Sequence, residues 1–365
     1  MTMTVTAMIN LANIAKRYQA DIKQQYADVM QAAHHYALEN IIQCHTPQAG
    51  ALLYHCQHCH LDSTLYPSCG HRHCPACQHK TNNDWLALQQ QKLLPVDYYL
   101  VTFTLPAQLR HFAWHHQTRA YQALFQAAKQ TLEAFFKRDK QLGESTGLIG
   151  VLHTHSRQLA YHPHVHFVVP AGGLNNTRLL WQQKQGKYLF KADNLAKVFR
   201  GKFITLMAQA HYYLPAKTPK EWVADCEYVG RGNSALTYLA RYLYRGVISE
   251  QNILSLRHDQ VTFQYKDNKT GQFKTITEHA TKFLWRILQH VLPKGFRRAR
   301  NYGFFHGNAK KTLQRLQLIL KVVLPAPSTR QKQPVCCPCC QREMHLYLMR
   351  IGNRIIACEG ARGTS

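Results

Sequence analysis

The pattern of apolar and polar positions predicts an α+β fold. Residues 97–105 (DYYLVTFTL) are rich in β-branched and aromatic side chains and end before Pro106, which is typical of a strand. Residues 148–155 and 162–169 predict two more strands, joined by a short loop. Helical spacing of apolar residues or helix-start signals predict helices at 11–42, 108–141, 193–212 and 234–245. Strands and helices in this mixed order favour an α+β core over a doubly wound one.

Two hairpins are predicted outside these segments. Residues 178–181 and 187–190 flank a Gln-Gly pair, which indicates a turn between two short strands. Residues 261–265 and 273–277 flank the turn-rich stretch DNKTG and predict a second hairpin.

Charge narrows the class of partner. The 365 residues include 45 Lys and Arg against 19 Asp and Glu, a net charge of +26. Such a surplus implies a polyanionic partner, most often nucleic acid, with an anionic membrane surface as the rival. No apolar run approaches the roughly 18–20 residues that a spanning helix needs, and no secretory signal is evident. We therefore expect a cytoplasmic nucleic-acid-binding protein with no membrane partner.

The first cysteine cluster predicts a zinc ribbon. Cys56-x-x-Cys59 is followed after fourteen residues by Cys74-x-x-Cys77. In a reducing compartment, paired CxxC motifs usually bind metal, and two such turns close a tetrahedral zinc site. A closed site has no open coordination position, so we assign it to folding and DNA contact rather than catalysis.

Further potential ligands surround this ribbon and the C-terminus. Cys44 and Cys69 lie near the ribbon and would either form a second site or replace a ligand in the first. In the tail, residues 336–340 (CCPCC) are followed by His345 and Cys358, which predicts either a small zinc knuckle using one of these two or a partly filled site.

One predicted strand carries a pair of histidines on one face. His164 and His166 are two residues apart in HPHVH, so both imidazoles point to the same side of the sheet. This spacing suits half of a metal site. The alternative is two partly buried histidines in a chain that has 23. If the preceding strand pairs across the loop, His153 would lie near His166 and His155 near His164, and we favour His153 as the third ligand.

A predicted helix carries paired tyrosines and arginines. Tyr238 and Tyr242 are four residues apart and therefore share one helix face, and Arg241 and Arg245 form an adjacent cationic stripe. Core packing is the alternative explanation for two tyrosines at this spacing. Beside a metal held by histidines, however, a tyrosine oxygen could attack a phosphate polarised by the ion and form a covalent phosphotyrosine.

The chain resembles the two-tyrosine HUH transposases of rolling-circle insertion sequences. The similar segments run in order through nearly the whole sequence: SCGHRHCPACQ, DYYLVTFTLP, VLHTHSRQLAYHPHVHFVVPAGGL, VFRGKF, LTYLARYLYRGVIS and HVLPKGFRRARNYGFF. The resemblance implies that His164 and His166 bind the catalytic metal and that Tyr238 and Tyr242 are the nucleophiles. It also implies cleavage and rejoining of single-stranded DNA at the element's ends through 5′-phosphotyrosine intermediates.

The resemblance also implies an organisation and a set of partners. We expect a helical and zinc-ribbon domain at 1–90 and an HUH nuclease core, an antiparallel sheet with helices, at 91–250. A basic DNA-binding extension at 251–334 and a cysteine-rich tail at 335–365 would follow. The cofactors would be Mg²⁺ or Mn²⁺ at the nuclease site and structural Zn²⁺. Since no GxxxxGK[ST] phosphate loop is present, a host helicase or replication would have to expose the single-stranded ends and the target DNA.

The basic extension predicts DNA contacts. From residue 281 to residue 334 there are twelve Lys and Arg and no Asp or Glu. The alternative explanation of this run is an ordinary solvated basic face, but the complete absence of acidic residues favours DNA binding. Phe296 and Tyr302 alternate in the sequence with four basic residues. The two aromatic rings would stack on bases, and the four basic side chains would bind phosphates. The four basic residues are Lys294, Arg297, Arg298 and Arg300.

Two other functions remain open at this level. One is a zinc-ribbon nucleic-acid-binding protein without catalysis, in which both the histidine and tyrosine motifs are structural. The other is a related rolling-circle replication initiator or relaxase, which would share the phosphotyrosine chemistry.

Overall fold

The computed structural model describes residues 9–234, 236–237, 247–267, 270–323, 334–352 and 354–358, without the side chains of residues 78–83. Its strands are β1 (Ala51–His55), β2 (Asp62–Leu65), β3 (Asp97–Thr104), β4 (Gly147–His155), β5 (Tyr161–Pro170), β6 (Gly172–Leu174), β7 (Trp181–Gln183), β8 (Val223–Arg231), β9 (Ile253–Arg257), β10 (Gln260–Lys266), β11 (Phe273–His279), β12 (Ala299–Gly303), β13 (His345–Ile351) and β14 (Arg354–Ala357). Its helices are α1 (Leu11–Arg17), α2 (Gln19–Gln25), α3 (Ala32–Gln43), α4 (Gln78–Gln90), α5 (Arg110–His115), α6 (Gln117–Arg138), α7 (Ala192–Gln209), α8 (Ala280–Leu288) and α9 (Lys310–Ile319).

The chain forms two compact units, each assembled from separate stretches of sequence. The first comprises Met1–His79, Gly246–Val291 and Ala326–Ser365, and the second comprises Lys80–Arg245 and Leu292–Pro325. These units differ from the linear domain boundaries predicted at 90, 250 and 334. The predicted basic extension is divided between the units, and the predicted tail joins the first unit because β13 pairs with β1.

Within its described residues, the first unit contains two antiparallel sheets and the helices α1, α2, α3 and α8. Its four-stranded sheet has the order β14-β13-β1-β2, and its three-stranded sheet has the order β11-β10-β9. The second predicted hairpin is confirmed as β10 and β11. The predicted helix at 11–42 is divided into α1, α2 and α3, and Tyr26, between the last two, stacks on Trp285 of α8 at 4.9 Å between ring centroids.

The second unit is built around a five-stranded antiparallel sheet of order β12-β4-β5-β3-β8. The strands predicted at 97–105, 148–155 and 162–169 are confirmed as β3, β4 and β5. Val165, Phe167 and Val169 pack from one face of this sheet against α6 and α7 in a large apolar core. Burying a large apolar side chain in this way contributes about 1.5–3 kcal/mol. The α+β fold class predicted from the sequence is therefore confirmed.

The opposite face of the same sheet carries a second, smaller core. Ile149, Val151, Val168 and Leu100 lie on this face, and Leu236 packs against them with no exposed surface. We call this surface the inner face, because it also carries the histidines described below.

One predicted hairpin was wrong. Residues 187–190 form no strand, and β7 pairs instead with β6. Glycine explains this pairing, since a Cβ atom on Gly172 would lie 2.4 Å from the carbonyl oxygen of Gln182 in the partner strand. Only a residue without a side chain permits so close an approach.

Candidate functional site

Three histidines meet on the inner face of the five-stranded sheet. His153 lies on β4, and His164 and His166 lie on β5. Their ring centroids are 4.5–5.2 Å apart, and their ligand nitrogens all lie within 4.8 Å of one another. His153 and His166 are buried, and His164 is half-buried. Two paired strands therefore preform a three-imidazole site that is accessible from one side.

The strand register differs from the predicted one by two residues. His153 is opposite His164, and Val151 is opposite His166, whereas His155 is displaced by an irregularity and faces Tyr161. Because side chains alternate with a period of two, a two-residue shift keeps His153 on the predicted face. It therefore joins the pair on β5, as the sequence predicted for a third ligand, although through a different pairing.

Hydrogen bonds orient two of the imidazoles. His164 Nδ1 lies 2.7 Å from the carbonyl oxygen of His162. A carbonyl only accepts, so this Nδ1 carries the proton and Nε2 keeps its lone pair. His166 Nδ1 lies 2.8 Å from Thr102 Oγ1, a partner that fixes its ring. Such partners around metal-binding histidines set the tautomer and the ring orientation.

Burial keeps the three imidazoles neutral. It lowers the pKa of His164 to about 4 and holds the pKa values of His153 and His166 well below 6.5, with neighbouring imidazoles acting in the same direction. Neutral imidazole is the form that binds a metal ion. At pH 7 the site therefore has nitrogen donors available without competition from protons.

The helix that precedes the tyrosine motif begins on the same sheet face. Residues 233, 234, 236 and 237 are helical, and the Leu236 amide donates to the Gly232 carbonyl. Leu236 is buried in the inner-face core, two residues before Tyr238 in the sequence. The site residues predicted on the helix at 234–245 lie outside the described residues. These are Tyr238, Arg241, Tyr242 and Arg245.

The cysteines form two clusters whose composition differs from the predicted ribbon. Both are in the first unit. The N-terminal cluster consists of Cys44, Cys69, Cys74 and Cys77, and the composite cluster consists of Cys56, Cys59, Cys337 and Cys340. The sequence predicted that the two N-terminal CxxC pairs share one site. That prediction was wrong, because each pair belongs to a different cluster. The antiparallel pairing of β13 with β1 brings Cys337 and Cys340 to the first pair, and neither His345 nor Cys358 is used.

Both clusters fit tetrahedral zinc. In the N-terminal cluster, Cys77 Sγ lies 3.4 Å from the sulfurs of Cys44 and Cys69. In the composite cluster, the cross-pair sulfur distances are 3.4 and 3.5 Å. Four sulfurs at about 2.3 Å from one zinc ion would be about 3.8 Å apart, so only a small expansion is required.

Backbone amides favour the thiolate form in the composite cluster. Hydrogen bonds from the amides of Cys59 and His58 lower the pKa of Cys56, and an amide hydrogen bond from Cys340 lowers the pKa of Cys337. Since the thiolate is the ligand, these hydrogen bonds prepare Cys56 and Cys337 for metal binding.

The composite cluster predicts a specific zinc stoichiometry. We expect two zinc ions per chain, and Cys337→Ser should reduce this to one, because the N-terminal cluster is intact. The first unit of that variant should also unfold at lower temperature, since structural zinc contributes folding free energy directly. Cys339→Ser is the matched control, because Cys339 is exposed and outside both clusters. Native mass spectrometry gives the count, and two ions retained in Cys337→Ser would contradict the assignment.

The predicted basic residues lie around the edge strand of the second unit. Lys294, Arg297 and Arg300 line a cleft of about 840 Å³ beside β12. The Arg298 carbonyl accepts a hydrogen bond from the Leu152 amide, and the positive charge of its side chain contributes to the lowered pKa of His153. Part of the predicted DNA-binding set is therefore close to the histidine site.

Sequence reasoning missed several residues of these sites. Thr102 is on β3 directly opposite His166, a relation that depends on strand order rather than on any motif. Trp85 lines the cleft from α4, far away in sequence. No helix within the described part of the chain is long and apolar enough to cross a membrane.

Comparison with known proteins covers both units. A family described as "Putative transposase" matches residues 147–312, and one described as "Transposase zinc-binding domain" matches residues 14–105. "Putative transposase y4qJ" of Sinorhizobium fredii is 30% identical over 346 residues, which cover 88% of this chain and 86% of the relative. "Transposase for insertion sequence element IS801" of Pseudomonas savastanoi pv. phaseolicola is 26% identical over 310 residues, covering 80% of this chain and 75% of that relative.

Proposed function

This chain belongs to the family of insertion-sequence transposases that carry a zinc-binding domain, and we propose that it cleaves and rejoins single-stranded DNA at the ends of its element through 5′-phosphotyrosine intermediates. Family membership favours a DNA-transferring enzyme over the non-catalytic binding protein and over the replication initiator or relaxase. The relative from Pseudomonas, named for an insertion sequence, supports the same choice.

The single observation that carries the proposal is the histidine triad on the inner face. His153, His164 and His166 converge there with neutral imidazoles, and hydrogen bonds orient those of His164 and His166. Leu236 anchors the start of the next helix on that same face, and the sequence continues directly to Tyr238. The segment proposed to carry the nucleophiles thus begins two residues after Leu236, a residue that lies on the same sheet face as the metal donors.

The donor set fits one divalent cation. Three imidazoles leave the remaining coordination positions for phosphate oxygens and water. Mg²⁺ or Mn²⁺ held there would neutralise charge on the scissile phosphate and make it more electrophilic. Because imidazole nitrogen suits Mg²⁺ poorly, we expect Mn²⁺ to support cleavage at lower concentration.

The tyrosines supply the covalent chemistry. As the Tyr238 oxygen bonds to phosphorus, the bond from phosphorus to the 3′ oxygen breaks, the phenol gives up its proton and the departing 3′ oxygen takes one. Free phenol has a pKa of about 10, so nearby positive charge, including Arg241 and Arg245, would favour the developing phenolate. Attack by a 3′ hydroxyl on the tyrosyl ester reverses the step and rejoins DNA. Tyr242 would serve a second strand.

Structural zinc and a host factor complete the proposal. Zinc in the two cysteine clusters would hold the first unit in its DNA-binding form. A host helicase or replication would expose the single-stranded ends and target DNA, because the sequence has no phosphate loop for a helicase of its own.

The Thr102 hydroxyl should act as a positioning group for the metal. Thr102→Val keeps the side-chain shape but removes the hydrogen bond to His166. Loss of such an outer partner typically weakens metal affinity by about 10–100-fold. We expect the Mn²⁺ concentration for half-maximal cleavage to rise by that factor, with near-normal cleavage at saturating metal. Thr102→Ser should restore the wild-type titration, and an unchanged titration in Thr102→Val would contradict the role.

The proposal is tested by strand cleavage. Purified zinc-loaded protein is incubated with labelled single-stranded oligonucleotides that span each end of its element, with Mn²⁺, with Mg²⁺ or with neither ion added. We expect metal-dependent cleavage at one position that leaves a free 3′ hydroxyl, together with joined products when both ends are present. Binding without cleavage under every metal condition would contradict the proposal.

A further inference from the structure

A cleft runs along the edge of the five-stranded sheet, beside the histidine triad. It has a volume of about 840 Å³ and is lined by residues of the second unit from α4, α6, β12 and the segments that flank β12. Ala299 at its wall is opposite Val151, which is opposite His166. These three residues form one row across three strands. With strands about 4.8 Å apart, the wall of the cleft is roughly 10 Å from His166.

The wall of the cleft is cationic and aromatic. Lys294, Arg297 and Arg300 contribute positive charge, Trp85 contributes an indole, and none of the lining residues is acidic. Carboxamides complete the lining, from Gln122, Asn301 and Asn308. Cations, an aromatic ring and amides in one place match the phosphate, the face and the edge of a nucleotide. The volume also falls in the range of about 300–1,000 Å³ of small-ligand pockets.

Two of the cations are set in place by the protein. The Arg300 guanidinium lies 4.3 Å from the Phe125 ring centroid and 4.9 Å from that of Phe296. Lys294 projects from a tight turn in which the Phe296 amide donates to the Pro293 carbonyl and Gly295 has a φ of +75°. A residue with a side chain is strained at that φ, so glycine allows this turn. Neither cation forms an ion pair within the described residues, so both remain available to an anion.

Side-chain carboxamides in the cleft can form hydrogen bonds with the edge of a base. Asn301 donates its amide to Gln89 at 3.1 Å, which leaves its carbonyl oxygen to accept from a base edge. Asn308, the last of the cleft-lining residues in the sequence, is exposed. A side-chain carboxamide pairs with donor and acceptor groups on a base edge.

We propose that this cleft binds one unstacked base and its phosphate from the single-stranded element end, close to the cleavage position, and thereby contributes to recognition of the end sequence. The inference rests on the proposed function for the identity of the DNA. At roughly 3.4 Å per stacked nucleotide, a separation of about 10 Å places the bound nucleotide within about three positions of the phosphate at the histidine triad.

An abasic-site scan of DNA binding tests the cleft separately from catalysis. The dissociation constant is measured by fluorescence anisotropy, with the full-length zinc-loaded protein and no added Mg²⁺ or Mn²⁺, for end oligonucleotides that carry one abasic nucleotide at each of the three positions on either side of the cleavage position. For the wild type, one position should weaken binding by about tenfold, the usual contribution of a stacked base. In Trp85→Ala the same abasic substitution should have less than about a twofold effect, because the stacking partner is already absent.

Trp181→Ala is the matched control. Trp181 packs, like Trp85, against the inner-face core but does not line the cleft. This variant should keep the wild-type abasic profile. If Trp85→Ala does not fold, Asn308→Ala provides the same test, since Asn308 is exposed and its carboxamide would contact the base.

The outcomes separate the two proposals. Equal abasic profiles in the wild type, Trp85→Ala and Asn308→Ala would overturn the cleft assignment, whatever the cleavage assay shows. A profile that is lost only in the cleft variants would support the cleft. In that case, absence of metal-dependent cleavage by the wild type would contradict the proposed function alone.

Discussion

Replacing both Tyr238 and Tyr242 by phenylalanine is expected to abolish covalent attachment to DNA and transposition, while zinc content, thermal stability and DNA binding stay at wild-type levels. The change removes only two hydroxyl oxygens, and in the proposed mechanism these are the atoms that bond to phosphorus. No other group in the proposal can substitute for them, so the loss should be complete within the sensitivity of the assay. Denaturing gels of protein with labelled element ends provide the measurement.

The single substitutions distinguish the roles of the two tyrosines. Tyr238→Phe or Tyr242→Phe alone should retain attachment to one strand but should not complete transfer of both ends. Tyr244→Phe is the matched control, because a residue six positions from Tyr238 faces elsewhere on a helix and should be fully active. If the double variant still forms the adduct, or if Tyr244→Phe loses it, Tyr238 and Tyr242 are not the nucleophiles as proposed.

The second large effect concerns the histidine triad. We expect His164→Ala to reduce strand cleavage at limiting metal by at least about a hundredfold, because the loss of one of three ligands would weaken binding of the cation that stabilises charge on the phosphate. His164 is half-buried, so its replacement should be tolerated by the fold better than that of His153 or His166. Cleavage rates are compared over a range of Mn²⁺ concentrations, with single-stranded DNA binding as the independent readout.

His162→Ala is the matched control for the triad. His162 lies on the same strand, but its Nδ1 is 3.0 Å from Arg110 Nη2, and it is outside the triad. Because His164 hydrogen-bonds to the backbone carbonyl of residue 162, that contact survives the substitution. Equal losses in His162→Ala and His164→Ala would indicate a structural effect and contradict a metal site.

Local patterns in the sequence were sufficient for the strands that carry the candidate site. Alternation in HPHVHFVV predicts that His164 and His166 share a face and that Val165 and Phe167 pack on the other, and the structure has both features. Helical and strand periodicities are properties of neighbouring residues, so they can be read without knowledge of the fold.

Relations between distant segments could not be predicted in the same way. The composite cluster joins Cys56 and Cys59 to cysteines about 280 residues later, a pairing that depends on where β13 adds to the first sheet. CxxC spacing indicates a metal-binding turn but does not identify its partner turn. The register of β4 on β5 differs from the prediction for a related reason, since it is set by the turn between the strands, whose length the residue pattern does not define.

The cleft shows the same limit. A run of cations without acids predicts DNA contact around residues 294–300, and the structure places these residues at one sheet edge. The contribution of Trp85 depends on α4 packing against the inner-face core, which no local pattern reveals. The basic run therefore indicates an anionic partner, and only the tertiary structure suggests a pocket for one nucleotide.

The most direct test of the central claim is to identify the residue that becomes attached to DNA. Wild-type protein is incubated with a single-stranded element end and Mn²⁺, denatured, digested with protease and analysed by mass spectrometry. The account predicts a nucleotide-bearing peptide with the 5′ phosphate on Tyr238 or Tyr242, formed by the zinc-loaded protein with Mn²⁺ and absent when Mn²⁺ is omitted. An adduct on any other residue, or cleavage without an adduct, would contradict it.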